Sequence, residues 1–384
     1  KNAVDMVCLM RFRWFGLALA STSFLMSLLL RVFWGELTPF LLKRGVSGSV
    51  IGLVGSVFFI GYVIAQLIGG VLADRLGTGF IMGIGLIISG FLNTLYGVLP
   101  LSTWVPLSIP IGFFAGFVYA PSVKIIRELF SDILEKAMGI YTIAWALPFM
   151  ISALIVPPLA RISINLVFYV VSLITMASGV VDLVAFRRMS EVRAESVIRA
   201  LGALRNTNVM LIGVGGFFIL YMNWVIAYWL YDYLVSSGLG ITYASLAFTL
   251  FTIAGLVAMP LSGHLAYRIG AKTMLLMDIV VYSLSGVAIA LMPRMPYALI
   301  LAVLLGVGRF VTTPMQSSLI AVSVDRKFVS TATAAANTFW QLSGILAPYM
   351  TYLLASMYGM EISIVLSSLM LLISLIPYSL VRIR

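Results

Sequence analysis

Charged side chains are scarce in this sequence. They make up 10% of its 384 residues, whereas hydrophobic residues make up 62% and the mean hydropathy is +1.11. A soluble domain needs more charge than this to cover its outer surface. The composition therefore excludes a soluble globular protein and predicts an integral membrane protein.

Cysteine and histidine occur once each, as Cys8 and His264. One cysteine forms no internal disulfide and no cysteine-based metal site, and one histidine forms no metal-binding cluster or catalytic dyad. The sequence also contains no G-x-S-x-G elbow and no Walker A run. We therefore expect neither an enzyme nor an ATP-driven pump, and we expect no metal ion or cofactor.

Basic residues are spread along the chain rather than gathered. The net charge is +11, and a nucleic-acid-binding protein would present such charge as one clustered face. Here Lys and Arg stand singly or in pairs between apolar runs. Nucleic acid is therefore excluded as a partner, and the expected surroundings are the lipid bilayer.

Apolar runs of membrane-spanning length recur along the whole chain. A span needs about 20 apolar residues, and only helices or closed barrels satisfy the backbone in hydrocarbon. The runs lack the alternation of barrel strands, so we predict an all-α protein with twelve transmembrane helices. They cover residues 14–40, 48–73, 80–99, 103–126, 138–160, 164–186, 208–236, 242–266, 273–292, 297–322, 329–354 and 360–381.

The placement of Lys and Arg predicts the orientation. With the N-terminus in the cytoplasm, 18 of these residues fall in inner segments and four in outer loops, as the positive-inside rule requires. Both termini are then cytoplasmic in a multi-pass protein of the cell membrane. The first apolar run continues to about Phe40 without a small-residue cleavage site. We therefore expect it to be a spanning helix rather than a signal peptide.

One polar segment divides the runs six and six. We predict an N-terminal six-helix bundle at residues 1–186, a cytoplasmic loop at 187–207 and a C-terminal six-helix bundle at 208–384. Apolar residues between Val192 and Leu204 are spaced as in a short helix lying on the inner membrane face. A flexible linker fits this segment equally well.

The two halves repeat two motifs at one offset. The sequence GFVYAP at residues 116–121 recurs as RFVTTP at 309–314, which is 193 positions later. Two matches at the same offset, half the chain length, indicate an internal duplication. At that offset Gly70, Arg75 and Gly77 also recur, as Gly263, Arg268 and Gly270.

With this repeat and topology, the sequence resembles the major facilitator superfamily. The loop after the second helix in that family reads G-x-x-x-D-R-x-G-[RK]-[RK], and the first four fixed positions are present here. The two final basic positions are Thr78 and Gly79, and the second copy has Tyr267 in place of the acid. The resemblance implies two bundles related by a pseudo-twofold axis, alternating access, and a solute site near the midplane between the bundles. We expect a monomer.

The loop motif is a candidate conformational latch. Asp74 could accept hydrogen bonds from the helix that begins near Ser330 and Thr331, where the helix dipole is positive. Arg75 could pair with an acid such as Glu128 or Asp132. These contacts would favour the outward-open state; the alternative is an ordinary solvated turn. The candidate latch residues are Gly70, Asp74, Arg75, Gly77, Glu128 and Arg268.

Arg309 is the strongest candidate for a solute-binding residue. It lies near the middle of an apolar run, where a charge costs about 2.5–3.5 kcal/mol even on the lenient insertion scale. Thr312, Thr313 and Gln316 share its helical face. The resemblance places this helix beside the solute path, where a fixed cation suits a carboxylate or phosphate. The alternative is a buried pair with Asp232 that only holds helices together.

Other polar and aromatic residues within the runs are further candidates. Arg31 is either a second anion ligand, an outer-gate residue or a side chain reaching the interface. An aromatic stripe could form a cavity wall or an interfacial belt, and two amides could bind solute or join helices. The stripe comprises Tyr221, Trp224, Tyr228 and Tyr231, and the two amides are Asn337 and Gln341. Proton coupling needs a buried carboxylate, for which Asp232 and Glu36 are the candidates, whereas Asp182 and Asp278 are interpreted as structural.

The sequence thus predicts a secondary active transporter of a small solute. The sharper hypothesis is an organic anion that is bound by Arg309 and carried together with a proton. A multidrug or lipophile exporter of the same fold, a sugar or polyol carrier, and a solute sensor without transport remain the alternatives.

Overall fold

The computed structural model describes residues 2–187, 206–324 and 329–382. All regular secondary structure in these residues is helical, which confirms the all-α prediction. The proposed short helix between Val192 and Leu204 lies outside the described residues. The α-helices are α1 (Asn2–Val32), α2 (Trp34–Lys43), α3 (Gly48–Leu76), α4 (Thr78–Thr94), α5 (Trp104–Ala115), α6 (Tyr119–Leu129), α7 (Leu134–Tyr141), α8 (Leu147–Ile162), α9 (Ile164–Ala185), α10 (Thr207–Val225), α11 (Tyr231–Leu234), α12 (Ile241–Ile269), α13 (Ala271–Leu291), α14 (Tyr297–Ser323), α15 (Val329–Tyr358), α16 (Met360–Met370) and α17 (Leu375–Leu380).

Eleven helical segments in the described part of the chain are long and apolar enough to cross a membrane. Helix α15 adds a further segment of 30 residues, which is about 45 Å long at 1.5 Å per residue. Its polar residues, such as Asn337 and Gln341, make it less apolar than the others. The predicted number of twelve spans fits these segments.

Several spans are interrupted at defined points. Helices α1 and α2 are separated only at Phe33, so they form one broken span. The span that begins with α10 contains two π-helical segments, Ile226–Leu230 and Val235–Leu239. A π segment shifts the angular position of every following side chain, and such segments often occur at functional sites.

The duplicated loop motif has the same backbone conformation in both copies. Gly77 and Gly270 have φ values of 99° and 86° and precede α4 and α13, respectively. A side chain at such positive φ is strained. This requirement explains why both copies of the repeat carry glycine at this position.

The chain forms two compact units that do not follow the sequence halves. Unit 1 comprises Lys1–Arg31, Ile60–Pro148 and Asn165–Glu195. Unit 2 comprises Val32–Phe59, Phe149–Ile164 and Ser196–Arg384, so it contains residues from both halves of the sequence. The division at residues 187–207 remains a prediction.

Aromatic packing organises the interior of unit 1. The ring of Phe24 lies 5.0–5.2 Å from the ring centroids of Tyr119, Tyr141 and Trp145. Such clusters bury a large apolar area and favour tilted or edge-on ring pairs. They connect α1 to the helices α6 and α7.

In unit 2, close backbone approaches join the helices. A Cβ atom placed on Gly306 of α14 would lie 2.1 Å from the carbonyl oxygen of Phe251 on α12. A Cβ atom placed on Gly308 would lie 2.7 Å from the Cα atom of Tyr282 on α13. Because these neighbours are backbone atoms, only glycine permits this spacing. The second approach fixes the height at which Arg309 meets α13.

Candidate solute-binding site

Arg309 lies at the centre of a buried polar cluster in unit 2. Its side chain is 2% exposed. The Nε group donates to Oδ1 of Asn223 on α10, and Nη1 donates to Oγ1 of Thr313 over 3.3 Å. The guanidinium also lies 5.3 Å from the ring centroid of Phe310. Two neutral acceptors therefore hold the cation in a fixed orientation.

The acidic neighbours of Arg309 lie on α13. Asp278 and Tyr282 are within electrostatic range of the guanidinium. The carboxylate of Asp278 is nevertheless beyond the salt-bridge distance of 4.0 Å. No hydrogen bond joins Nη2 of Arg309 to any described residue. The cation thus keeps donor capacity that the described residues do not use.

Asp232 is not the partner of Arg309. The charged group within electrostatic range of Asp232 is Lys43, not Arg309, and the side chain of Asp232 is 9% exposed. The alternative hypothesis of a buried Arg309–Asp232 pair therefore finds no support in the described contacts.

Arg309 has no basic counterpart at the equivalent position of the first repeat. The equivalent position in the first half is Gly116, 193 residues earlier. A Cβ atom placed on Gly116 would lie 2.7 Å from Cβ of Ala65 and 2.8 Å from the carbonyl oxygen of Tyr62. The first copy therefore has no room for a side chain here, whereas the second copy accommodates a guanidinium.

Arg31 is a second buried guanidinium, in unit 1. It is fully buried and occupies the last turn of α1, two residues before the break at Phe33. Its Nη2 donates to the hydroxyl of Tyr62 over 3.3 Å, and the guanidinium lies 4.3 Å from that ring's centroid. Gln66 donates to the same hydroxyl over 3.1 Å. These contacts orient Arg31, and its burial favours a binding or gating residue over a side chain that reaches the membrane interface.

The polar residues expected around Arg309 have different partners. Thr313 binds Arg309, but Gln316 donates to the hydroxyl of Tyr378 on α17 over 2.6 Å. On α15, Gln341 donates to Oδ1 of Asn337 over 3.4 Å, and its own Oε1 is buried without a partner. Of Thr313, Gln316 and Gln341, only Thr313 therefore forms a hydrogen bond with the guanidinium.

The aromatic stripe of the α10 span does not stay on one face. Trp224 packs on Phe59 with ring centroids 4.5 Å apart. The ring of Tyr228 lies over Gly55 of α3. After the first π segment, however, the hydroxyl of Tyr231 reaches Ser245 on α12 at 2.9 Å. Tyr221, at the other end of the stripe, is 6% exposed.

Glu36 is buried in unit 2. Its Oε2 accepts a hydrogen bond from the hydroxyl of Ser152 on α8, and its Oε1 is buried without a hydrogen bond. The side chain is fully buried on α2. As a coupling candidate it satisfies the requirement for burial, and its role remains a prediction.

The latch residues are described only in part. The side chains of Asp74, Ser330 and Thr331 lie outside the described part of the structure. Arg75 is exposed, and Asp132, one of the two acids expected to pair with it, instead accepts a hydrogen bond from Arg13. Arg268 is exposed as well, and Glu128 is half-buried. The latch therefore remains a prediction, and Asp132 is not the partner of Arg75.

Sequence reasoning did not place three members of the cluster beside Arg309. These are Asn223, Asp278 and Tyr282. The available signal was the burial of an acid within a span, which by itself marks a functional candidate. Asp278 was interpreted as structural because it lies near a helix end, but it is within electrostatic range of Arg309 on the neighbouring helix.

Sequence relatives match parts of the chain. A probable hexose phosphate transport protein of Chlamydia trachomatis is 27% identical over 125 residues, which are 32% of this chain and 26% of the relative. The membrane sensor protein UhpC of Escherichia coli is 42% identical over 60 residues, which are 15% of this chain and 14% of that protein. The matches thus span about a quarter or less of these relatives.

Solved structures match nearly the whole fold. A bacterial homolog of the lysosomal transporter Spinster, in an inward-facing unoccupied conformation, has a TM-score of 0.77 at 15% identity and covers 96% of this chain and 97% of that one. A D-xylose–proton symporter has a TM-score of 0.77 at 16% identity with the same coverage. At such identities the likeness shows the fold alone.

The family follows from these findings and from a match to a family model. The Major Facilitator Superfamily model matches residues 19–348, which is more than half of the chain. The family and the structural neighbours are transporters rather than enzymes. This chain therefore belongs to the major facilitator superfamily and is a multi-pass membrane protein.

Proposed function

We propose that the protein is a secondary active transporter of a small phosphorylated or carboxylated anion. Arg309 carries this proposal. Its guanidinium is 2% exposed in a membrane span, it has two neutral hydrogen-bond acceptors, and its Nη2 has no acceptor among the described residues. An arginine binds a phosphate or carboxylate through two parallel hydrogen bonds.

The energetic cost of Arg309 supports a functional role. A buried charge is costly unless it is paired, and its retention in a span is typical of a substrate pathway. Among the residues that the structure describes, no carboxylate lies within 4.0 Å of the guanidinium. An anionic solute would supply the missing counter-charge. Arg31 remains a second candidate ligand, on the basis of its own burial.

The sequence relatives favour a sugar phosphate among possible anions. The Chlamydia relative is named for hexose phosphate transport. A phosphate monoester carries nearly two negative charges at pH 7. Such a ligand suits a site whose specificity depends on a guanidinium, with amide and hydroxyl groups available for the sugar.

Contacts within unit 2 support alternating access. Near one end of the α10 span, first-half helices α2 and α3 pack against the second half through glycine and aromatic contacts. With the N-terminus in the cytoplasm, this end faces outward. We propose that these contacts form the closed outer gate and separate during transport.

Ligand-induced thermal stabilisation tests the proposed solute class. The purified protein is heated with glucose 6-phosphate, inorganic phosphate, glucose or tetraphenylphosphonium. A ligand present at 100 times its Kd stabilises the native state by about 2.7 kcal/mol, so glucose 6-phosphate should raise the melting temperature. Stabilisation by glucose alone would favour the sugar carrier, and stabilisation by the hydrophobic cation would favour the exporter.

A solute sensor is the second candidate function. The 60-residue match to the sensor UhpC, at 42% identity, favours it. A sensor and a transporter both bind the anion, but only a transporter exchanges it across a membrane. Binding of glucose 6-phosphate without counterflow in proteoliposomes would therefore select the sensor.

A further inference from the structure

Asp278 faces the Arg309 cluster from a neighbouring helix. It lies one turn before Tyr282 on the same face of α13. The backbone of Tyr282 in turn packs on Gly308, the residue before Arg309. Asp278 is 4% exposed and lies within electrostatic range of Arg309.

The cluster contains polar atoms that the described residues leave unsatisfied. Oδ2 of Asp278 and the hydroxyl of Tyr282 are both buried without a hydrogen-bond partner. A buried carboxylate oxygen that accepts no hydrogen bond is costly in its ionised form. Asp278 can therefore exist in two protonation states. The ionised carboxylate balances the charge of Arg309 from a distance, and the protonated carboxyl is neutral.

The charged surroundings of Asp278 are simple. Arg309 on α14 and Tyr282 on α13 are the titratable groups of the described residues that face it. Lys272, earlier on α13, donates instead to the carbonyl oxygens of Ser379 and Val381. The charge on Asp278 thus depends chiefly on what neutralises Arg309.

We propose that Asp278 is the proton-binding carboxylate that is coupled to anion binding at Arg309. This inference rests on the proposed anion transport and names its coupling residue. In the empty protein, ionised Asp278 balances the charge of Arg309. When an anion binds the guanidinium, the cluster would carry excess negative charge in a medium of low dielectric constant. Asp278 then takes up a proton from solution, and the cluster is neutralised.

The coupling is reciprocal. If the bound anion favours protonation of Asp278, protonation favours anion binding by the same factor. Anion affinity then falls as the pH rises, because ionised Asp278 competes with the solute for Arg309. For one coupled proton, the affinity changes by about tenfold per pH unit in the steep range.

Proton uptake on binding tests the proposal. Glucose 6-phosphate is added to the full-length protein in weakly buffered detergent solution, and a pH indicator reports protons taken up per ligand bound. The phosphate itself titrates near pH 6, so the comparison is between variants. Wild type should take up about one proton more per bound ligand than Asp278→Asn. The change in Kd of about tenfold per pH unit that one coupled proton causes should be lost in Asp278→Asn.

Matched carboxylates provide the controls. Asp182 is also buried, and it accepts a hydrogen bond from Ser23 over 2.8 Å; no cation of the described residues is within its electrostatic range. Asp182→Asn should behave as wild type. Glu36→Gln and Asp232→Asn test the other coupling candidates. Loss of the extra proton in either of these, but not in Asp278→Asn, would overturn the proposal.

The remaining outcomes separate this inference from the proposed function. If wild type binds no anion, the proposed function fails. If wild type binds and Asp278→Asn takes up as many protons, only the coupling role fails. A folded Asp278→Asn protein that binds no anion also overturns the coupling role, because a neutral residue should leave Arg309 available. Asp278→Ser serves as the second neutral variant if the amide prevents folding.

Discussion

Gly35 of α2 lies directly against the backbone of Ala227 in the first π segment of unit 2. A Cβ atom placed on Gly35 would lie 2.2 Å from the carbonyl oxygen of Ala227. Backbone at this position has little freedom to move away. The proposed outer gate therefore closes only because residue 35 has no side chain.

Gly35→Val should prevent closure of the outer gate. Overpacking costs about 1–3 kcal/mol, which shifts a two-state equilibrium by about 5- to 150-fold. Ser56 reports the change, because it is 5% exposed and accepts a hydrogen bond from the backbone of Tyr349. In a Cys8→Ser background, a membrane-impermeant maleimide should label Ser56→Cys faster when Gly35→Val is present.

A second glycine provides the control for this labelling. A Cβ atom placed on Gly263 of α12 would meet no atom within 4 Å, so Gly263→Val should leave the labelling rate unchanged. Equal acceleration by both substitutions would show a general loss of packing. An unchanged rate in Gly35→Val would contradict the gate.

Asn223 should act together with Arg309. Asn223→Leu removes the acceptor of Nε, and a lost hydrogen bond to a buried charged group costs about 1–3 kcal/mol. We expect Asn223→Leu to lower thermal stability and weaken glucose 6-phosphate binding. In a double-mutant cycle with Arg309→Gln, the two losses should be less than additive because both remove the same contact. Additive losses would indicate independent roles.

The sequence predicted the architecture better than the site. Apolar length was sufficient to predict the membrane-spanning helices, and the repeated Gly77 and Gly270 followed from one motif. Arg309 was recognised because a charge in a span is costly. The hydrogen-bond partners of Arg309 were not recognised, because contacts between helices depend on how each helix is rotated about its own axis. Hydrophobic periodicity alone does not determine that rotation. The π segment before Tyr231 is one example. It turns Tyr231 away from the face on which a regular α-helix would continue the aromatic stripe.

The hydroxyl of Ser152 should contribute to stability through Glu36. Its removal in Ser152→Ala leaves the buried carboxyl without its hydrogen-bond donor, at a cost of about 1–3 kcal/mol. Thr175→Ala is the matched control, because this buried hydroxyl donates only to a carbonyl oxygen of its own helix. Thermal unfolding should show the larger loss for Ser152→Ala. Equal losses of thermal stability in the two variants would mean that the hydrogen bond to Glu36 does not stabilise the protein.

The ion pair between Arg13 and Asp132 should make a pH-dependent contribution to stability. The hydrogen bond from Arg13 lowers the pKa of Asp132 below its ordinary value of 3.8. A lowered pKa in the folded state stabilises the protein above pH 3.8, and this contribution disappears as the pH falls through the lowered pKa. Asp132→Asn should therefore lower the unfolding midpoint slightly at pH 7 and leave it unchanged in strong acid.

Salt provides a second check on this ion pair. Asp132 is exposed, so its charge is screened within about 3 Å at 1 M salt. The difference between wild type and Asp132→Asn at pH 7 should then shrink. A difference that persists in both acid and high salt would mean that packing, not charge, is responsible.

Counterflow tests the central role of Arg309 most directly. Proteoliposomes loaded with unlabelled glucose 6-phosphate are diluted into radiolabelled glucose 6-phosphate, with and without the charge reversal Arg309→Glu. Arg294→Glu is the control, because Arg294 is exposed at a loop. We predict that wild type and Arg294→Glu accumulate label and that Arg309→Glu does not. Undiminished counterflow by a folded Arg309→Glu protein would contradict the account.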